Sequence, residues 1–330
     1  MTCLRHVQGF WAIILCFCEV TSAAPSGGQR GSAGVDTRIF ISGRDTGIKN
    51  LTTPWRDQSV RWVIKSDAGT IAAGRGRTEN DGRTSMEFAV PNVRDAVHLL
   101  LIVAPEEKAT KRTYAAEVVV LPKDPFAAVR RSLEKLKLGW VPFGALAGAL
   151  RRSALTCAPL ERGPVREAFK GDVVILGGLL NGRLEQTAQW VHLLPSGTCL
   201  IVVNDGSAGA SAFSLVKFLA EEKPPAQTTV YVDRDQGVWI DLPVDWLDKA
   251  CPRHRLGETK GFTFLRILAG HFAGDGEAFP LALEARDLGG RWWLIWNLPT
   301  LPAGDDPRLD LILRNSLLWA HRRTLAKNRP

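Results

Sequence analysis

At Asp124-Pro125 the hydrophobic period of this chain changes, and that switch constrains the fold more than any other feature. Before it, apolar and polar residues alternate, the spacing of strands with one buried face. After it, short apolar runs alternate with segments spaced at three and four residues, the rhythm of a sheet covered by helices. A chain of 330 residues is long enough for one core of each kind. The spacing predicts a β module over residues 35–122 and an α/β module over 123–330.

In the first module Ile39-Phe40-Ile41 opens the pattern. Val60, Trp62 and Ile64 alternate with Arg61, Val63 and Lys65, and Met86, Phe88 and Val90 alternate with Glu87 and Ala89. Val97 to Val103 and Ala116 to Leu121 complete the set, and turn residues such as Asp67-Ala68-Gly69 and Asn80-Asp81-Gly82 separate the runs. Short strands without an amphipathic helix among them resemble a small antiparallel sandwich of immunoglobulin-like type. Trp62 is similar to the core tryptophan of such folds, although the paired cysteines of antibody domains are missing.

In the second module Asp124-Pro125 is a helix start, followed by Phe126, Val129, Leu133 and Leu136 on one face. Asp172 to Leu176 reads as a buried strand ending in Gly177-Gly178. Leu184, Ala188, Val191 and Leu194 mark a helix stopped by Pro195-Ser196-Gly197. Cys199 to Val203 is the next strand, and Phe213, Val216 and Leu219 lie on the next helix. This alternation predicts a mainly parallel sheet with helices on both faces. Thr229 to Val232 and Gly237 to Leu242 read as two further strands. Phe279 to Ala285 and Trp292 to Leu298 read as a hairpin around Gly289-Gly290, and Asp306-Pro307 starts a last helix.

The N-terminus has a different character. Arg5 and His6 precede the apolar run Phe10 to Cys18, and Thr21-Ser22-Ala23 offers small residues at a cleavage site. That run is less than half of the ~20 residues a spanning helix needs. We read 1–23 as a signal peptide and the Gly/Ser/Ala/Pro-rich 24–34 as a flexible leader. The expectation is an exported protein, periplasmic or extracellular, soluble after cleavage. Cys157, Cys199 and Cys251 then remain. Cys199 reads as a buried hydrophobe; Cys157 and Cys251, each near a proline, are left open as a pair or as free thiols.

The formal charge is +8, which raises the question of nucleic acid. Basic residues are scattered beside acids, as in Glu106-Glu107-Lys108 and Glu221-Glu222-Lys223, and the pairs Arg130-Arg131, Arg151-Arg152 and Arg322-Arg323 fall on predicted helices. No stripe with interleaved stacking aromatics is present, so no specific nucleic-acid partner is expected. A solvated basic face is the main reading, with attraction to an anionic glycan or envelope polymer as the alternative.

Asp172 to Asp205, with its strand ending in Gly-Gly, its helix ending in Pro-x-Gly and its second apolar strand, resembles the middle of a class I glutamine amidotransferase-like domain. The hairpin with Arg291-Trp292-Trp293-Leu294-Ile295-Trp296-Asn297-Leu298, and the helix with Leu317-Leu318-Trp319-Ala320, are similar to the closing segment of its non-catalytic members. The resemblance implies a flavodoxin-like α/β fold and an accessory role beside carbohydrate-active or envelope proteins, with a protein or carbohydrate partner. Active members carry Gly-x-Cys-x-Gly at a strand end and a downstream His-x-Glu. Here that strand end reads Val203-Asn204-Asp205-Gly206-Ser207-Ala208-Gly209, with no cysteine, and neither His254 nor His271 has the partner spacing. A pseudoenzyme is the implication.

Ser207 between glycines suggests a serine nucleophile, the basis of an alternative hydrolase reading, but the elbow pattern needs Gly where Asp205 stands. Backbone N–H groups at that turn suit an anionic group instead. A ligand of such a sheet sits beyond the carboxyl ends of the parallel strands, which nominates Gly177, Gly178, Asn181, Asn204, Asp205, Ser207 and Asp233. Cys251 and His254 supply two ligands where structural zinc needs four, so no metal and no cofactor is assigned. His271, Asp275 and Glu277, set among Gly270, Gly274 and Gly276, read as a polar loop, with His271 as a secondary acid–base candidate. Trp292 and Trp296 fall on one face of a strand and Trp293 on the other, which suits core packing better than a sugar-stacking platform.

Overall fold

A computed structural model of the chain describes residues 38–42, 47–106, 113–141, 146–160, 169–177, 191–204, 219–221, 228–233, 235, 237–242, 254–256, 261–274, 276–298 and 306–327. The signal peptide and the leader lie outside them, as do Phe213 and Val216 of the predicted third helix, whose Leu219 instead opens a short strand, Leu219–Glu221.

The alternating N-terminal segments form β1 (Arg38–Ile41), β2 (Gly47–Thr52), β3 (Ser59–Ser66), β4 (Gly69–Arg77), β5 (Arg83–Glu87), β6 (Val97–Pro105) and β7 (Tyr114–Leu121). Five make a sheet in the order β1-β7-β6-β3-β4, and β2 pairs with β5. Ile48, Leu51 and Met86 from the small sheet share one core with Val60, Trp62, Ile64, Leu101 and Val118 from the large one. β2 and β4 were not foreseen. The Gly/Ala-rich β4 is held by its register with β3, where Trp62 lies opposite Gly74. A Cβ on Gly74 would stand 2.8 Å from Trp62 Cε2, so the indole needs glycine there. One pairing departs from the antiparallel expectation: β1 runs parallel to β7, with Arg38 opposite Val118 and Ile41 opposite Leu121.

The remaining strands are β8 (Leu138–Val141), β9 (Cys157–Pro159), β10 (Val173–Gly177), β11 (Cys199–Asn204), β12 (Leu219–Glu221), β13 (Thr229–Val232), β14 (His254–Leu256), β15 (Phe262–Phe272), β16 (Ala278–Asp287) and β17 (Trp292–Asn297). The helices among the described residues are α1 (Arg130–Leu133), α2 (Leu146–Ser153) and α3 (Pro307–Lys327). Eight strands form one sheet ordered β13-β15-β16-β17-β11-β10-β8-β9. It is mixed rather than mainly parallel. The neighbours from β9 to β17 are parallel, whereas β13, β15, β16 and β17 pair antiparallel. The predicted hairpin is β16–β17, and the predicted last helix is α3, capped by Asp306 Oδ1, which accepts the Arg308 N–H at 2.8 Å.

Two expected elements take other forms. Gly237–Leu242 is a series of turns, because the Asn315 amide donates to the carbonyls of Val238 (3.1 Å) and Ile240 (2.7 Å) and curls the segment. Asp124 does accept the Phe126 N–H, at 2.9 Å. Tight turns follow, with Val129 N–H donating to Phe126 O (3.0 Å) and Ser132 N–H to Val129 O (3.0 Å). Regular helix is confined to Arg130–Leu133, although Phe126, Leu133 and Leu136 are buried as their spacing required.

Residues Val35–Pro330 form one compact unit, and β7 explains why. Its even residues, Val118 and Val120, face the sandwich core. Its odd residues, Val119 and Leu121, belong to a second core with Ile201, Leu294, Trp296, Ile312, Leu317 and Trp319. The opposite face of the mixed sheet is covered through Val174, Leu200, Leu283, Trp293 and Ile295.

A polar staple joins the same two parts. His98 on β6 approaches Glu117 on β7 (Nδ1 to Oε1, 2.7 Å) and Asp241 of the 237–242 turns (Nε2 to Oδ1, 3.6 Å). Arg314 of α3 donates to the second Asp241 oxygen at 2.6 Å. Hydrogen bonding to Asp241 and then to Glu117 raises the His98 pKa to about 9, against a smaller opposing effect of burial. A pKa raised in the folded state means that the stabilisation is complete below the unfolded value of about 6.5 and disappears as pH rises through about 9. His98 is half-exposed, so solvent screening reduces its worth to about 1 kcal/mol. Urea midpoints should fall over that window in the wild type and lose this component of the fall in His98→Gln. An identical pH slope in both proteins would refute the staple.

Candidate functional site

In the parallel half of the mixed sheet the strand order reverses between β8 and β10, with β9 outside β8 and β11 outside β10. Such a reversal opens a crevice at the carboxyl ends of the strands. Gly177 closes β10 and Asn204 closes β11, on neighbouring strands, with Gly177 opposite Val203. Asn204 in turn lies opposite Asn297, the last residue of β17. The nominated Gly177 and Asn204 are therefore brought together. Gly178, Asn181, Asp205 and Ser207 lie outside the described residues.

Asp233 does not join them. β13 is separated from β11 by β15, β16 and β17, so although the register puts Val232 in the same row as Gly177, Asp233 stands four strands away from β11. There the Asp233 carboxylate pairs with Arg266 and accepts the Asp235 N–H at 3.2 Å. His271 is not in a polar loop. It lies on β15, 3% exposed, with Nδ1 2.8 Å from Thr228 Oγ1. Asp275 lies outside the described residues, and the Glu277 carboxylate accepts from Arg255 at 2.8 Å. Asn297 is buried, its amide donating to Pro280 O at 3.1 Å.

Cys157 and Cys199 are free thiols. Burial pushes both up to about 12, so neither supplies a thiolate at neutral pH. Cys251 lies outside the described residues. Trp293 and Trp296 are core residues whose indole N–H groups reach Asp287 Oδ2 (3.0 Å) and Ser316 Oγ (2.9 Å).

One buried polar constellation among the described residues is missed by sequence reasoning. Glu284 sits in mid-β16, fully buried. Its Oε1 accepts from Trp319 Nε1 at 2.8 Å and from Arg323 Nε at 2.7 Å, while Oε2 has no hydrogen-bond partner among the described residues. The Arg323 guanidinium lies over the Trp292 ring at 4.3 Å, and Arg286 stands 5.5 Å from the same ring. Phe264 meets Trp292 edge-on at 5.8 Å. The available signal was one acid in the apolar run Phe279–Ala285. One strand away, at the amino ends of β10 and β11, a cavity of about 310 Å³ is lined by Lys170, Asp172, Thr198 and Thr324, among others.

Among the described residues no group of three or more His, Cys, Asp or Glu is arranged to hold a metal, and no helix is long and apolar enough to cross a membrane. No family model matches the chain, and no curated protein matches it. Among solved structures, the crystal structure of a sialyltransferase from Photobacterium damsela is similar at 9% sequence identity, over 55% of this chain and 37% of that one, with a TM-score of 0.22. The chain thus spans little more than a third of that structure's length, and a likeness at this TM-score carries no argument about fold or activity.

Proposed function

We propose that this chain is an exported binding or assembly protein, a non-catalytic amidotransferase-like domain behind an immunoglobulin-like module. The observation that carries the reading is how polar groups are used at the described strand ends. Asn297 is committed to Pro280 O and His271 to Thr228, so neither is presented to a bound molecule. In support of the domain assignments, β1 and β7 run parallel at one side of a sheet facing β2–β5. That is also the arrangement of immunoglobulin-like sandwiches with a buried tryptophan on the third strand. The order β9-β8-β10-β11 is the start of a flavodoxin-like sheet. Export rests on the residues from Arg5 to Ala23.

The rival is a hydrolase built on Ser207. A fluorophosphonate probe applied to the purified chain should label it no more than it labels Ser207→Ala. Stoichiometric labelling that vanishes in Ser207→Ala would replace the binding reading with an enzymatic one.

A further inference from the structure

We infer that the amino-terminal rim of the mixed sheet, opposite to the end where such folds carry their ligands, is a binding site for a small oxyanion: a carboxylate, phosphate or sulfate group, free or carried on a sugar. This inference rests on the binding reading above and names the site and the ligand chemistry. The cavity there, about 310 Å³, is large enough for one such group with a small carrier. Lys170 brings an ammonium to its wall, while the Thr198 and Thr324 hydroxyls donate to Gly171 O (3.5 Å) and Ala320 O (3.0 Å). The carboxylate in the lining, Asp172, accepts the Lys137 N–H at 2.9 Å and so ties the start of β10 to the start of β8.

The cationic character comes from the neighbouring strand. Trp292 opens β17 with its backbone N–H donated to Thr198 O at 3.0 Å, which ties the start of that strand to the cavity wall. Arg323, next to Thr324 in α3, is neutralised by Glu284. Arg286 is not neutralised: it is exposed, stacked on Trp292, and has no carboxylate partner among the described residues. Its Nη2 lies 3.8 Å from where a Cβ on Gly290 would stand, a point that the Ser196 side chain also abuts. The guanidinium is thus beside the Pro195–Thr198 wall. A planar guanidinium pre-oriented on an indole keeps its donor fork free for a bidentate oxyanion, and Lys170 in the cavity lining supplies a second charge.

The test is calorimetric titration of the full chain with inorganic phosphate, inorganic sulfate and glucuronate, alongside Arg286→Ala, Lys170→Ala and the distant surface variant Arg75→Ala. Saturable binding of at least one probe is expected, weakened about tenfold in Arg286→Ala and Lys170→Ala and unchanged in Arg75→Ala. Preference for glucuronate over the inorganic ions would assign a sugar acid, and the reverse order a free oxyanion. Binding that neither variant weakens overturns the site while leaving a binding function elsewhere intact. Absence of saturable binding by any probe up to the order of 10 mM overturns the inference itself. Circular dichroism of each variant separates loss of contact from loss of fold.

Discussion

Replacing Glu284 by leucine should cost about 3–5 kcal/mol of unfolding free energy, more than any other single charge removal here. The carboxylate is fully buried and is the shared acceptor of the Trp319 indole and the Arg323 guanidinium. Without it, one buried N–H loses its acceptor and a cation stacked on Trp292 loses its counter-charge. Glu284→Gln should fall between, because an amide oxygen still serves Trp319. The double change Glu284→Leu with Arg323→Leu should recover much of the loss, since an apolar pair needs neither partner. Chemical denaturation of the wild type, Glu284→Leu, Arg323→Leu and the double variant completes the cycle, with Glu284→Gln measured beside them. A single-variant cost below about 1 kcal/mol would show that the buried carboxylate contributes no net ion pair.

The second large effect concerns β7. Leu121→Ala should cost about 2–5 kcal/mol, as expected for a fully buried leucine, and the loss should be felt on both sides of the strand. Leu121 packs in the mixed-sheet core while its neighbour Val120 packs in the sandwich core. Hydrogen exchange should therefore report the same drop in opening free energy at β3 amides as at β11 amides. Unchanged protection of β3 beside weakened β11 would mean that the two cores open independently.

Much of this arrangement is legible in residue spacing. The inward set Val60, Trp62 and Ile64, the strands Val173–Gly177 and Cys199–Asn204, the hairpin with three tryptophans and the capped final helix all obey the periods that predict them. What escaped had its pattern set by distant partners. β15 lacks clean alternation because it is bulged against β16 at three places, and its Gly270 is required where a Cβ would stand 2.7 Å from Phe279 O. The expected strand at Gly237–Leu242 is undone by one asparagine more than seventy positions later. The candidate cleft was legible where it depended on consecutive parallel strands, as for Gly177 and Asn204. It failed at Asp233, whose place is decided by antiparallel pairings. Glu284 escaped because its partners, Trp319 and Arg323, lie on a different element.

The position of α3 has a consequence for how such a chain emerges from a ribosome. Its residues Leu309, Ile312, Leu313, Leu317 and Ala320 complete the core that also holds Val119 and Leu121, yet they are translated after every strand that they cover. Until they arrive, one side of β7 and the tryptophan-bearing side of β17 have no lid. The nascent protein must carry that greasy surface, unfolded or chaperoned, until α3 follows, and a stop codon anywhere ahead of Pro307 would leave it permanently open.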